Sequence, residues 1–301
     1  MVETAVVETG GSRRIKNPYL RLARPKQWTK NGFVLAGLIF AHQALYAPSV
    51  VSALVTFVAF CALSSATYAA NDVLDVKEDR EHPTKRLRPV ASGEIKPRAA
   101  TTFSAVLAAF GLVLCFLVGP VVGLSGIAYL LLQAVYSLGL KHLVILDVMA
   151  ISAGFVIRAL AGVAAVHSPV SPWLIVCTGL LTLFLGFSKR RHELAVLGDE
   201  AAGHRRNLED YSVEMLDQMM NIMVSATIIA YSMYTFFVYK NEAENYMMAT
   251  IPFVVYGIFR YMVLVHRAGG GNPDTLLLRD RPLQITLLLW VAVVALVLYV
   301  Q

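Results

Sequence analysis

Long apolar runs alternate with short polar breaks along almost the whole chain. A helix needs about 20 predominantly apolar residues to cross the hydrocarbon core of a bilayer. Nine blocks approach that length, near Asn31 to Leu45, Ser49 to Ala70, Ala99 to Val118, Val121 to Leu138, Ile145 to Val166, Val170 to Phe187, Met219 to Tyr239, Tyr246 to Val265 and Leu283 to Val300. The pattern predicts an all-α, polytopic membrane bundle of nine transmembrane helices. Residues 1–301 form one integral membrane domain in this reading, with residues 1–23 as a flexible N-terminal segment. The first block is the shortest, and the polar stretch before it lacks the apolar core of a cleavable signal peptide.

Composition sharpens this picture. Of 301 residues 57% are hydrophobic and only 15% charged, against roughly 25% charged in soluble domains, which excludes a soluble enzyme on a single anchor. Cys61, Cys115 and Cys177 stand singly in apolar runs, so neither a disulfide framework nor a cysteine zinc site is expected. Among the 26 Lys and Arg, Lys240 falls on one side of the threaded chain, Arg158 and Arg260 fall within spans, and all the others gather on the opposite side. The positive-inside rule makes that rich side cytoplasmic, with the N-terminus inside and the C-terminus outside the plasma (inner) membrane. The net charge of +6 is thereby a topology signal, and the expected partner is the lipid bilayer, with no nucleic acid. A homo-oligomer is compatible with the sequence.

Two long cytoplasmic stretches, Asn71 to Arg98 and Ser188 to Gln218, hold most of the acids and bases. Asn71, Asp72, Asp75 and Asp79 follow the second block at spacings of three and four residues, which on a continuing helix puts them on one face. Converging carboxylates repel, and a carboxamide with one or two carboxylates suits Mg²⁺ completed by phosphate oxygens and water. A cationic run from Arg80 through Lys85 to Pro89 follows, and a second, Lys189-Arg190-Arg191-His192-Glu193, comes after the sixth block. Arg205 and Arg206 continue it. Lys30 is the innermost base of the Arg24-Pro-Lys-Gln-Trp-Thr-Lys30 stretch, and Lys141 lies in the turn after the fourth block. Arg158 sits inside the fifth block, where it needs a carboxylate such as Asp147 or a polar cavity.

The Asn71-Asp72-x-x-Asp75-x-x-x-Asp79 motif after the second of nine spans resembles the UbiA superfamily of intramembrane prenyltransferases. The second acidic motif of that superfamily is replaced here by Lys189-Arg190-Arg191-His192-Glu193-Leu194. The stretches Arg24 to Asn31, Asp79 to Arg86, Gly139 to His142, Ile157 to Ala159 and Lys189 to Leu194 are similar to the branch that acts on decaprenyl phosphate. That resemblance implies an Mg²⁺-dependent transfer of ribose 5-phosphate from 5-phosphoribosyl 1-diphosphate to a polyprenyl monophosphate, in arabinan precursor synthesis for the cell wall. It also implies Asn71 and Asp75 as Mg²⁺ ligands, with Asp72 and Asp79 in support. Lys30, Tyr68, Lys85, Lys141, Arg158, Lys189 and Arg190 would hold the donor. Glu193 and Tyr211 would orient it, and Asp72, Asp75 and Lys189 form the expected catalytic set. The competing readings are a UbiA-type enzyme using a prenyl diphosphate and a small or aromatic acceptor, and a cation-coupled transporter, whose midplane site the one-sided charge disfavours.

Overall fold

The computed structural model describes residues 17–197, 208, 210–237, 242–267, 276 and 279–299. Residues 1–16, Lys240, Arg205 and Arg206 lie outside them. The described chain contains α-helices α1 (Pro18–Ala23), α2 (Ala36–Phe40), α3 (Ala47–Leu74), α4 (Val76–Glu81), α5 (Pro97–Val118) and α6 (Pro120–Leu138). After these come α7 (Leu146–Ala165), α8 (Pro172–Leu197), α9 (Val213–Phe237), α10 (Ile251–His266) and α11 (Arg281–Tyr299). Short 3₁₀ segments connect some of them, and no strand occurs among the described residues. Prolines open α3, α5, α6 and α10 within the first turn, where the missing N–H costs nothing. Successive helices pack side by side, α3 on α5, α5 on α6, α6 on α7, α7 on α8 and α8 on α9. Helices α3 and α7 are the most enclosed. The outer face of α5 carries the exposed row Val106, Phe110, Val113 and Leu117, whose spacing of three and four residues marks one stripe turned to lipid.

Eight helices among the described residues are long and apolar enough to cross a membrane, and the first of the nine expected spans is not one of them. In its place stand a 3₁₀ helix over Pro25–Leu35 and the short α2. This stretch nevertheless runs the length of α3. Arg24 at one end pairs with Asp72, Trp28 donates from Nε1 to the Ser65 hydroxyl at 3.0 Å, and Gln43 beyond α2 accepts from Ser49 at 3.0 Å. The greater rise of a 3₁₀ helix, about 2.0 Å per residue, lets a short segment make a crossing that an α-helix could not. The close fit against α7 explains the departure from α geometry: a methyl group on Gly162 would lie 1.8 Å from the Val34 carbonyl oxygen, and one on Gly37 would lie 2.5 Å from the Val163 nitrogen. Small residues permit such backbone contact between membrane segments.

Two consequences shape the site. The segment wedged between α3 and α7 brings Asn31 and Val34 into the interior, both fully buried. Its far end meets the end of α11, where His42 contacts the Leu298 carbonyl at 3.1 Å and the Ala44 N–H donates to the Tyr299 hydroxyl at 3.0 Å. Arg24 and the end of α11 therefore lie at opposite ends of the bundle, as an odd number of crossings requires. Pro18–Ala23, expected with the flexible segment, is a helix whose Leu22 is fully buried beside Ala69, Val90 and Ile95.

The backbone contact yields a stability prediction. Gly162→Ala should lower thermal stability by about 1–3 kcal/mol through overpacking, whereas Gly179→Ala, whose added methyl would meet only Val156 at 3.9 Å, should stay within about 0.5 kcal/mol of the parent. Thermal unfolding in one detergent measures both. Equal losses would contradict the tight contact between the first segment and α7.

Candidate active site at the charged end of the bundle

Helix α3 has 28 residues and rises about 42 Å at 1.5 Å per residue, beyond the roughly 30 Å hydrocarbon core. Its last turns stand clear of the apolar layer and carry Asn71 and Asp72, with Asp75 at the junction to α4 and Asp79 on α4. The Asp75 N–H still bonds the Asn71 carbonyl at 2.9 Å and the Asp79 N–H the Asp75 carbonyl at 2.8 Å. The motif is not one unbroken helix, because α3 ends at Leu74 and Asp75 forms the junction at φ −90° and ψ 11°. The four residues expected to share one face have two sets of partners, arginines for Asp72 and Asp79, and a serine and a lysine for Asn71 and Asp75.

Asp72 and Asp79 face arginines. Asp72 is 1% exposed and Asp79 2%. Arg24, held in the left-handed conformation at φ 52°, donates from Nη2 to Asp72 Oδ1, and its guanidinium lies 4.9 Å from the centre of the Tyr68 ring. Arg88 donates from Nη1 to Asp79 Oδ2 at 2.6 Å and lies 3.4 Å from Asp72 Oδ1. Asp72 Oδ2 has no hydrogen-bond partner among the described residues. Arg21 extends the cluster through Glu94, at 2.8 Å, and the Leu87 carbonyl, at 2.7 Å. The four charges clamp the N-terminal segment and the loop after α4 onto the end of α3.

Asn71 and Asp75 turn toward α6 and the turn that follows it. Ser137 donates to Asn71 Oδ1 at 2.7 Å, and Lys141 Nζ lies 3.0 Å from Asp75 Oδ1. Asp75 is half-buried, with 28% of its side chain exposed. A carboxamide oxygen and a carboxylate one helical turn apart form a donor set suited to Mg²⁺ completed by phosphate oxygens. Among the described residues no three His, Cys, Asp or Glu side chains cluster closely enough to hold a metal ion by themselves. The residues present thus fit a metal that arrives with, and is completed by, a phosphate-bearing substrate.

Below this pair runs a polar column. Ser137, Gln133 and Tyr129 stand four residues apart on α6, one face of a helix. The Gln133 amide borders Gly154, and Tyr129 accepts from Arg158 Nη2 at 2.9 Å. Arg158, 5% exposed, also donates from Nε to Asn31 Oδ1 at 2.7 Å and from Nη1 to the Gly154 carbonyl at 2.9 Å. Its guanidinium packs 4.6 Å from the Tyr129 ring centre and 5.2 Å from that of Phe155. Asn31 in turn donates to Ser64 at 3.2 Å and to the Cys61 sulfur at 3.3 Å. The carboxylate suggested for Arg158 from sequence, Asp147, is engaged elsewhere. Neutral oxygens and π faces hold this arginine, with no carboxylate within 4.0 Å among the described residues.

Asp147, fully buried, pairs instead with Arg190, whose Nε donates to Asp147 Oδ2 at 2.7 Å. Arg190 is 1% exposed and also binds Glu193 through Nη1. Asp147 lies on α7, and Arg190 and Glu193 lie on α8, which stays helical from Pro172 to Leu197. Tyr211, just before α9, accepts the Ile145 N–H at 2.6 Å, and its hydroxyl lies 3.5 Å from Asp147 Oδ1. Burial raises the Tyr211 pKa above the ordinary phenol value, so the hydroxyl stays protonated near neutral pH. Farther out, Arg191 and His266 share Asp217. A hydrogen bond from Arg260 holds the Asp280 carboxyl below the usual carboxylate range.

The expected residues thus fall into groups. Asn71, Asp75 and Lys141 converge, with Tyr68 one turn back on α3 beneath Arg24. Arg190, Glu193 and Tyr211 form a closed network around Asp147. Lys30 and Lys189 are half-buried on the first segment and on α8, and Lys85 is half-buried on the 3₁₀ turn Lys85–Leu87. Sequence reasoning missed Tyr129, Gln133 and Ser137, although polar residues at a spacing of four within an otherwise apolar span are the signal that marks them.

Comparison with known proteins places this geometry. The model of the UbiA prenyltransferase family matches residues 32–288. The decaprenyl-phosphate phosphoribosyltransferase of Mycolicibacterium smegmatis is 32% identical, over 99% of this chain and 98% of its own length. The protein of that name from Mycobacterium tuberculosis is 34% identical, over 91% and 92%. A UbiA homologue from Archaeoglobus fulgidus, solved with GPP and Mg²⁺, shares the fold with a TM-score of 0.72 at 18% identity, over 94% of this chain and 99% of that one. With a family model spanning most of its length and full-length relatives above 30% identity, the chain belongs to the UbiA prenyltransferase family.

Proposed function

We propose that the protein transfers ribose 5-phosphate from 5-phosphoribosyl 1-diphosphate to a polyprenyl monophosphate, decaprenyl phosphate by its relatives' names, and releases diphosphate. The observation that carries this reading is likeness along essentially the entire chain to proteins named for that reaction. The site chemistry agrees with it. A donor with a diphosphate at one end and a phosphate at the other needs one metal-binding face and cations spread around it. The end of α8, where an acidic second motif would serve a prenyl diphosphate, carries Lys189 and Arg190 instead.

In this reading Asn71 and Asp75 hold Mg²⁺, which supplies Lewis-acid stabilisation of the leaving diphosphate when bound. Asp72 and Asp79, occupied by Arg24 and Arg88, support the site by fixing the chain around it. Lys141, whose ammonium neutralises Asp75, is the cation best placed for the diphosphate, and Lys30, Lys85 and Lys189 serve the remaining phosphate oxygens. Tyr68 orients the donor from the turn below Asn71. Arg158 keeps a charge that no carboxylate neutralises among the described residues, and it offers that charge to the donor from the floor of the column. Arg190 and Glu193, closed on Asp147, shape the wall rather than bind. As diphosphate leaves, ribose C1 acquires oxocarbenium character, as in other glycosyl transfers. A phosphate oxygen of the acceptor, already ionised near neutral pH, bonds to C1 from the opposite side and gives the β-linked product without a general base. Positioning and charge neutralisation provide the catalysis. The site then lies on the cytoplasmic side of a plasma membrane, with the lipid tail entering between helices and the product feeding arabinan synthesis in the cell wall.

Purified protein given labelled 5-phosphoribosyl 1-diphosphate and polyprenyl phosphate should form a lipid-linked product only with Mg²⁺, and Asp75→Asn should abolish most of it. Turnover of a prenyl diphosphate with no reaction of the phosphoribosyl donor would replace this reading with the prenyltransferase one. For Arg158, a lysine cannot reproduce the guanidinium fork. Arg158→Lys should therefore weaken donor binding by about 1.5–3 kcal/mol, measured by calorimetric titration. Unchanged donor affinity with a lowered melting temperature would assign Arg158 to packing alone.

A further inference from the structure

Ile145 links the turn after α6 to α7 with φ 66° and ψ −48°, a conformation that β-branched residues avoid. The Leu146 N–H bonds the Val144 carbonyl at 2.7 Å across it. Those angles and that bond define the strained form of the γ-turn. Such strain persists only where the surroundings hold it in place. The hold here is Tyr211. Its ring is 5% exposed, its hydroxyl takes the Ile145 N–H at 2.6 Å, and its own N–H is fixed to the Leu208 carbonyl at 3.3 Å.

The turn occupies a sensitive place. Four residues before Ile145 stands Lys141, on Asp75 at 3.0 Å. Two residues after it stands Asp147, on Arg190 at 2.7 Å. A relaxed backbone at Ile145 would rotate these two charged contacts relative to each other. We propose that Tyr211 is a positioning residue that holds the strained turn at Ile145 and so fixes Lys141 at the Asn71 and Asp75 pair, rather than a residue that touches the donor. The role rests on the phosphoribosyl-transfer reading, because Lys141 is the group whose placement the reaction would register. Tyr211 communicates with the site through the backbone.

The test uses the full chain in lipid nanodiscs, as wild type, Tyr211→Phe, Ile145→Gly and the double variant. Glycine adopts positive φ without strain, so it removes the need for the clamp. Two quantities are read: amide hydrogen exchange of residues 140–147, and KM and kcat for the phosphoribosyl donor. Tyr211→Phe should speed exchange in that stretch and raise the donor KM about tenfold, with the acceptor KM little moved. Adding Ile145→Gly should bring the donor KM back to within about twofold of Ile145→Gly alone. Wild-type exchange and kinetics in Tyr211→Phe overturn the proposal, and so does a raised KM that Ile145→Gly does not relieve, the mark of a direct donor contact. If Tyr211→Phe is not recovered folded, recovery of the double variant supports the clamp and its loss overturns it. A wild type inactive toward the phosphoribosyl donor defeats the functional reading, and the exchange measurement still decides on the turn.

Discussion

A carboxylate at the end of an apolar bundle is stable only with a cation or strong donors beside it, and that requirement organises this protein. The junction of α3 and α4 offers Asp72, Asp75 and Asp79 within eight residues of one another. Each is met by a charge from another segment: Arg24 before the first crossing, Arg88 beyond α4, and Lys141 between α6 and α7. Neutralisation therefore doubles as assembly, because satisfying the acids draws three separate connections onto one helix end. The groups that reach each residue then decide its use. Buried Asp72 and Asp79 are spent on arginines, while Asn71 and the half-buried Asp75 face the interior with a serine and a lysine as partners.

The same economy of charge holds deeper in the bundle. Arg158 makes no ion pair among the described residues, and its guanidinium is held by a tyrosine, an asparagine, a backbone carbonyl and two ring faces. A buried arginine held by neutral groups retains a field that attracts anions, whereas Arg190, closed on Asp147 and Glu193, has surrendered its own. Two arginines that look alike in sequence as basic residues in apolar helices thus have opposite electrostatic standing. The column from Asn71 through Ser137, Gln133 and Tyr129 to Arg158 joins the metal-suited pair to that arginine.

Much of this was legible in the sequence, because apolar length and one-sided basic loops follow directly from the physics of the bilayer. The all-helical bundle and eight of the nine crossings belong to that part. The first crossing was misjudged in kind, since its 3₁₀ geometry follows from backbone contact between Gly37, Val34 and Gly162, which depends on a helix more than a hundred residues away in sequence. Spacing alone also merged four residues into one face, whereas the break between α3 and α4 at Asp75 and the partners that reach each residue separate them. Asp147 as the partner of Arg190 rather than Arg158, and the hold of Tyr211 on Ile145, arise from tertiary contacts that no local pattern encodes.

The central claim is that one acidic motif is divided between metal binding and structural clamping. A structure of the protein with 5-phosphoribosyl 1-diphosphate and Mn²⁺ in place of Mg²⁺, with the metal located by its anomalous scattering, tests it most directly. The account predicts metal density bridging the donor phosphates to Asn71 and Asp75, with Arg24 still on Asp72 and Arg88 still on Asp79. Metal held by Asp72 and Asp79, with those arginines displaced, would contradict it.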